Sequence, residues 1–162
     1  MKYSSKKVAH FGLYIALAMI MSYIELLIPP IFAAVPGIKL GLPNIIIIYV
    51  LYKTGFKSAF FVSVARVLLV AILFGNSMTL AFSLAGAVLS IVLKGILKKT
   101  NAFSMIGVSV AGAVMHNIAQ VLVAVVLLES TLIGYYAIIL AITGTISGIL
   151  IGIIGYNIIK RF

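Results

Sequence analysis

Arg66 has the most chemical leverage in this sequence, because it stands inside a long apolar run from Ser58 to Phe74. A guanidinium at mid-bilayer depth costs several kcal/mol unless it faces protein or water, so it must point inward. Its planar fork suits a phosphate or a carboxylate, and Arg66 is therefore a candidate anion anchor. The alternative is a structural tie to helix-end carbonyls or to Glu25. His116, Asn117 and Gln120 fall at i, i+1 and i+4, in one sector of a helix, where they could hydrogen-bond a ligand or a neighbouring helix. Asn44, Asn76 and Lys39 stand at or beside breaks in the apolar pattern, placed to meet a solute entering from outside. Glu25 and Glu129 are the only carboxylates. Both fall near span ends, where capping or pairing with Lys39 is the simpler role and a coupling-proton role is weakly supported.

The absences narrow the function classes. Of the metal-ligating types there are 2 histidines, His10 and His116, and no cysteine or aspartate to complete a shell, so no metal site is expected. No G-x-x-x-x-G-K-[ST] occurs, so any ATP hydrolysis must come from another polypeptide. Without aspartate there is no acid-rich magnesium–diphosphate site of the kind phosphoryl and prenyl transfer need. A hydrolase triad is not assembled either. The expectation is a binding protein without cofactor, and not a self-sufficient enzyme.

These side chains must be positioned by membrane-spanning helices. The 162 residues are 64% hydrophobic and 9% charged, with a mean hydropathy of +1.32, far from a soluble composition. A helix needs roughly 20 apolar residues to cross the hydrocarbon, which limits the chain to about six spans with short loops. The pattern predicts spans at 8–28, 44–52, 58–74, 78–93, 102–128 and 132–159, the second of them short. The basic start before an apolar run is read as a retained span, since it lacks an A-x-A cleavage pattern. The one long break in hydrophobicity, Pro29 to Asn44, holds all 4 prolines together with Gly37, Gly41 and Lys39. Proline fixes φ and removes a donor, so the segment is expected to be a shaped lid loop over whatever the helices enclose. All cations except Lys39 and Arg66 cluster in the N-terminal lead, Lys53–Lys57, Lys94–Lys99 and the C-terminal pair. Six spans put those clusters on one side, which predicts a multi-pass protein of the cytoplasmic membrane with both termini cytoplasmic and the lid facing outward. That placement makes the net charge of +10 topological, and nucleic acid is not an expected partner.

Small residues mark the faces where helices can approach. Ala9, Gly12 and Ala16 share one face of span 1, and Ser83, Gly86, Ala87 and Ser90 one face of span 4. Gly144, Gly148 and Gly152 form a G-x-x-x-G-x-x-x-G ridge on span 6. Such ridges serve packing more often than partner docking.

Several segments together look familiar: PGIKLGLPN from Pro36 to Asn44, Arg66 with the run to Gly75, FSLAGAVLS from Phe82 to Ser90, and GVSVAGAVMHNIAQVLVA from Gly107 to Ala124. They resemble the Gx transporter family, also catalogued as heptaprenyl diphosphate synthase component I. That family is similar in topology to the substrate-binding S components of energy-coupling factor (ECF) transporters. The resemblance implies an all-α bundle of six transmembrane helices with an outer lid, binding a small anionic or amphipathic solute. It also implies a docking face on helix 1, here Ala9, Gly12 and Ala16, for an ECF transmembrane coupling subunit served by two cytoplasmic ATPases. The usual A-x-x-x-A pattern appears here as Gly12-x-x-x-Ala16 preceded by Ala9. Some relatives accompany flavin-linked or quinone-linked electron transfer, which implies the alternative of a non-catalytic membrane accessory subunit of such a system.

Overall fold

The computed structural model describes residues 5–28, 40–127, 129 and 135–161. Among them the regular structure is helical: α1 Ser5–Leu27, α2 Pro43–Thr54, α3 Phe56–Phe74, α4 Ser77–Thr100, α5 Met105–Leu127 and α6 Tyr136–Arg161. Local chemistry sets several of the breaks. Gly55 separates α2 from α3 alone, at a φ of 98° that a side chain would disfavour. Asn76 accepts the Thr79 N–H while the Thr79 hydroxyl accepts the Asn76 N–H, a reciprocal cap that starts α4. Asn101 ends α4 in the left-handed conformation its short amide tolerates.

Five of the helices are long and apolar enough to cross a membrane; α2, with 12 residues, is not. It spans about 18 Å at helical rise. The helices form a ring in which α1 meets α3, α3 meets α4, α4 meets α5, α5 meets α6, and α2 closes the circle against α6 and α1. The core gathers around α2. Ile47, Val50 and Leu51 pack with Ala59, Val62 and Ile91, and on another side Ile45 and Ile48 pack with Met105 and Ile151. A short helix apolar on every face is stable at membrane depth only in such a position, because its backbone ends can then be satisfied by protein.

The helix limits differ from the sequence-based spans in one place that matters. The apolar run ending at Leu93 predicts a basic loop over Lys94–Lys99, whereas α4 continues to Thr100 and carries Lys94, Lys98 and Lys99 on it. Lysine is a good helix former, and a span ends on polarity only if the polar side chain has to face water. Lys94 does not: it is 2% exposed. The lid segment of 29–39, with Lys39, lies outside the described residues, as do residues 131–134 at the start of the sixth span.

The glycine ridge of α6 faces α5. A Cβ on Gly148 would stand 2.7 Å from the Val110 Cα, and one on Gly152 2.8 Å from the Ile106 Cα, so the two backbones are in contact. Replacing Gly148 by Leu should push the helices apart and lower stability by about 1–3 kcal/mol, the usual range for overpacking, read as a fall in the detergent melting temperature. Unchanged melting would refute this packing. Ala9, Gly12 and Ala16 on α1 are by contrast exposed, and a Cβ on Gly12 would meet nothing within 4 Å.

Candidate functional site

At the end of the ring where α2 begins, the helices enclose a cavity of about 250 Å³. Asn44, Arg66, Asn76, His116, Asn117 and Gln120 all line it; of the residues the sequence marks out for binding, Lys39 alone is outside the described set. They arrive from three helices and the turn before α4. Asn44 is in the first turn of α2, Arg66 lies midway along α3, Asn76 caps α4, and the His116–Gln120 stripe comes from α5. Ser22 and Glu25 of α1 complete the wall near Arg66.

Arg66 donates a hydrogen bond from Nη1 to the Ser22 hydroxyl at 3.2 Å. Ser22 in turn donates to the Ala18 carbonyl, so its oxygen is free to accept. The Nε of Arg66 is buried and has no hydrogen-bond partner among the described residues. Glu25 acts on Arg66 through its opposite charge and accepts the Gly41 N–H, which pins the chain as it enters α2. Gly41 adopts a φ of 74°, a turn conformation that glycine reaches without strain.

Two of the polar residues have other duties. Asn117 donates through Nδ2 to the Leu140 carbonyl at 2.7 Å, tying α5 to α6, and a Cβ on Gly144 would meet that same Nδ2 at 2.7 Å. Asn76 spends its side-chain oxygen on the cap of α4. His116 packs over α4 at Gly86, where a Cβ would stand 2.8 Å from its ring. The small face of α4 therefore makes room for the α5 polar stripe.

Lys94 is the residue that sequence patterning missed. Its Nζ donates to Asn44 Oδ1 at 3.2 Å, and its stem lies in a groove made by Gly112, where an added Cβ would fall 2.0 Å from Cε. A signal was present: Lys94 continues the face of Ser83, Ala87 and Ser90 at helical spacing. Its place in a basic cluster hid it.

The electrostatics can be weighed. The positive ends of α2 and α4 reach the cavity, as do the negative ends of α1 and α3, and at about half a charge each these cancel. Among the side chains, Arg66 and Glu25 line the cavity with opposite charges, and Lys94, buried behind Asn44, acts on Arg66 as a like charge. A cation at membrane depth is costly without a counter-charge, and an anion arriving beside Arg66 can supply one.

A family model described as heptaprenyl diphosphate synthase component I matches residues 14–158. No curated protein matches the chain, and no solved structure matches it.

Proposed function

Because the chain belongs to the heptaprenyl diphosphate synthase component I family, we propose that it is a non-catalytic, membrane-embedded binding subunit that takes a small anionic or amphipathic solute into the cavity beside Arg66. The observation that carries this reading is Arg66 itself, a cation on the cavity wall whose buried Nε donor has no hydrogen-bond partner among the described residues. The absence of aspartate leaves no acid cluster to hold magnesium on a diphosphate, which favours binding over synthesis.

In this proposal the chain works as an S-component-like subunit of an ECF-type uptake transporter. The solute enters from outside beneath the 29–44 segment, meets Arg66 and Lys39, and is held by Asn44, His116 and Gln120. The exposed face of Ala9, Gly12 and Ala16 docks a transmembrane coupling subunit, and two cytoplasmic ATPases drive release. The basic ends of α2 and α6 support an orientation with both termini in the cytoplasm. A second reading, an accessory subunit of isoprenoid-quinone or flavin-linked electron transfer, draws support from the family description, in which "component I" implies a partner subunit.

The deciding experiment is a mild-detergent pull-down of the tagged chain from native membranes, with proteins and small molecules identified by mass spectrometry. Recovery of two ATPases, a coupling subunit and an anionic small molecule is the expected result. A prenyl-transfer or electron-transfer protein with no ATPase would overturn the transporter reading in favour of the second.

A further inference from the structure

Lys94 reaches the cavity only through Asn44, and the chemistry of that contact fixes how Asn44 is turned. An ammonium group has donors and no acceptor. The amide oxygen must therefore face Lys94, as it does at 3.2 Å. The Nδ2 group then lies on the opposite side, near Gly41, where an added Cβ would stand 3.2 Å from it. Asn44 lines the cavity, so the group it can offer a solute is an N–H donor. Nothing in the placement of Lys94 is casual: it is 2% exposed, and the missing side chain at Gly112 is what admits its stem.

We propose that Lys94 is a positioning residue that locks Asn44 as a donor beside Arg66, and that the site it completes recognises a solute group bearing one negative charge, the carboxylate class. This rests on the anion-binding reading of the cavity and goes beyond it by naming the charge of the ligand and the residue that sets its second contact. The charge follows from the lining: among the described residues Arg66 is the one lysine or arginine on the cavity wall, and one negative charge pairs with it where a diphosphate would bring more than it can meet. The Arg66 guanidinium and the Asn44 amide, both on the cavity wall, can also each meet one oxygen of a carboxylate.

The test uses the purified full-length chain in mild detergent, titrated near neutral pH with sodium hexanoate, its neutral isostere hexanamide, inorganic phosphate and pyrophosphate. Hexanoate should bind and raise the melting temperature, with hexanamide and pyrophosphate weaker by roughly tenfold or more. Asn44→Asp discriminates a structural role from a positioning one. It sets a carboxylate against the Lys94 ammonium, adds a negative charge to the cavity wall and removes the amide donors, so the chain should melt as high as the parent while hexanoate affinity falls roughly tenfold or more. Lys94→Met keeps the stem in its groove and should weaken hexanoate to a similar degree. Unchanged hexanoate affinity in Asn44→Asp, or a parent chain that prefers pyrophosphate, would overturn this inference and leave the anion reading intact. A parent chain that responds to none of the anions would overturn both.

Discussion

Replacing Arg66 by Ala is expected to weaken binding of the cavity's anionic solute by about 100-fold, the loss of one strong charge-assisted contact worth about 3 kcal/mol. The effect should exceed that at any other lining residue, because Arg66 combines a formal charge with a buried Nε donor that has no partner among the described residues. The substitution also removes a cation that acts on Glu25. Breaking one partner out of a fully buried ion pair destabilises a protein by about 3–5 kcal/mol, and less here, where the cavity admits water. Glu25→Gln in the same chain should recover most of the lost stability and none of the lost binding. The readout is the amount of solute that co-purifies with each variant, set beside its melting temperature. An Arg66→Ala protein that retains its solute at parental stoichiometry would end the anion-anchor account.

Gly112→Ala should be the most damaging single methyl group in the bundle. Its Cβ would fall 2.0, 2.5 and 2.7 Å from Cε, Cγ and Cδ of Lys94, a collision along the whole stem rather than at a movable tip. Lys94 is walled in by its neighbours, so the overlap has to be relieved by separating α4 from α5, which would also stretch the bond from the Ser90 hydroxyl to the Gly112 carbonyl. A loss of about 3 kcal/mol, the upper part of the overpacking range, is expected. Lys94→Ala removes the colliding atoms, so Gly112→Ala made on that background should cost much less. Strict additivity of the two changes would show that the glycine serves some other contact.

The architecture was legible where it depends on hydrophobicity. Apolar runs of span length fixed the long helices, and the inability of eight residues after Asn44 to cross marked α2 as the odd element, whose place is now seen to be the centre of the core. Arg66, His116, Asn117 and Gln120 were legible because polar groups inside such runs must turn away from lipid. Lys94 was not, since a lysine near a span end ordinarily reaches water, and only packing against Gly112 shows that this one does not. The sequence puts Glu25 near a span end and offers it Lys39 or Arg66 as partner; that it shares a cavity with Arg66 depends on how α1 crosses α3, which periodicity does not encode. The separate duties of Asn117 and Asn76, one binding the Leu140 carbonyl and one capping α4, likewise appear only in three dimensions.

The central position of α2 has a consequence for biogenesis. A segment of 12 residues that rests on α1, α3 and α6 is too short to partition into lipid by itself during synthesis, and the latest of its supports, α6, emerges after α1 and α3. Threading through the insertion machinery can therefore settle the long helices one by one, but α2 takes its seat only when α6 arrives. Chains stalled before that point present an unsupported apolar stub to the quality-control proteases, so degradation of nascent protein should fall sharply once α6 has been made.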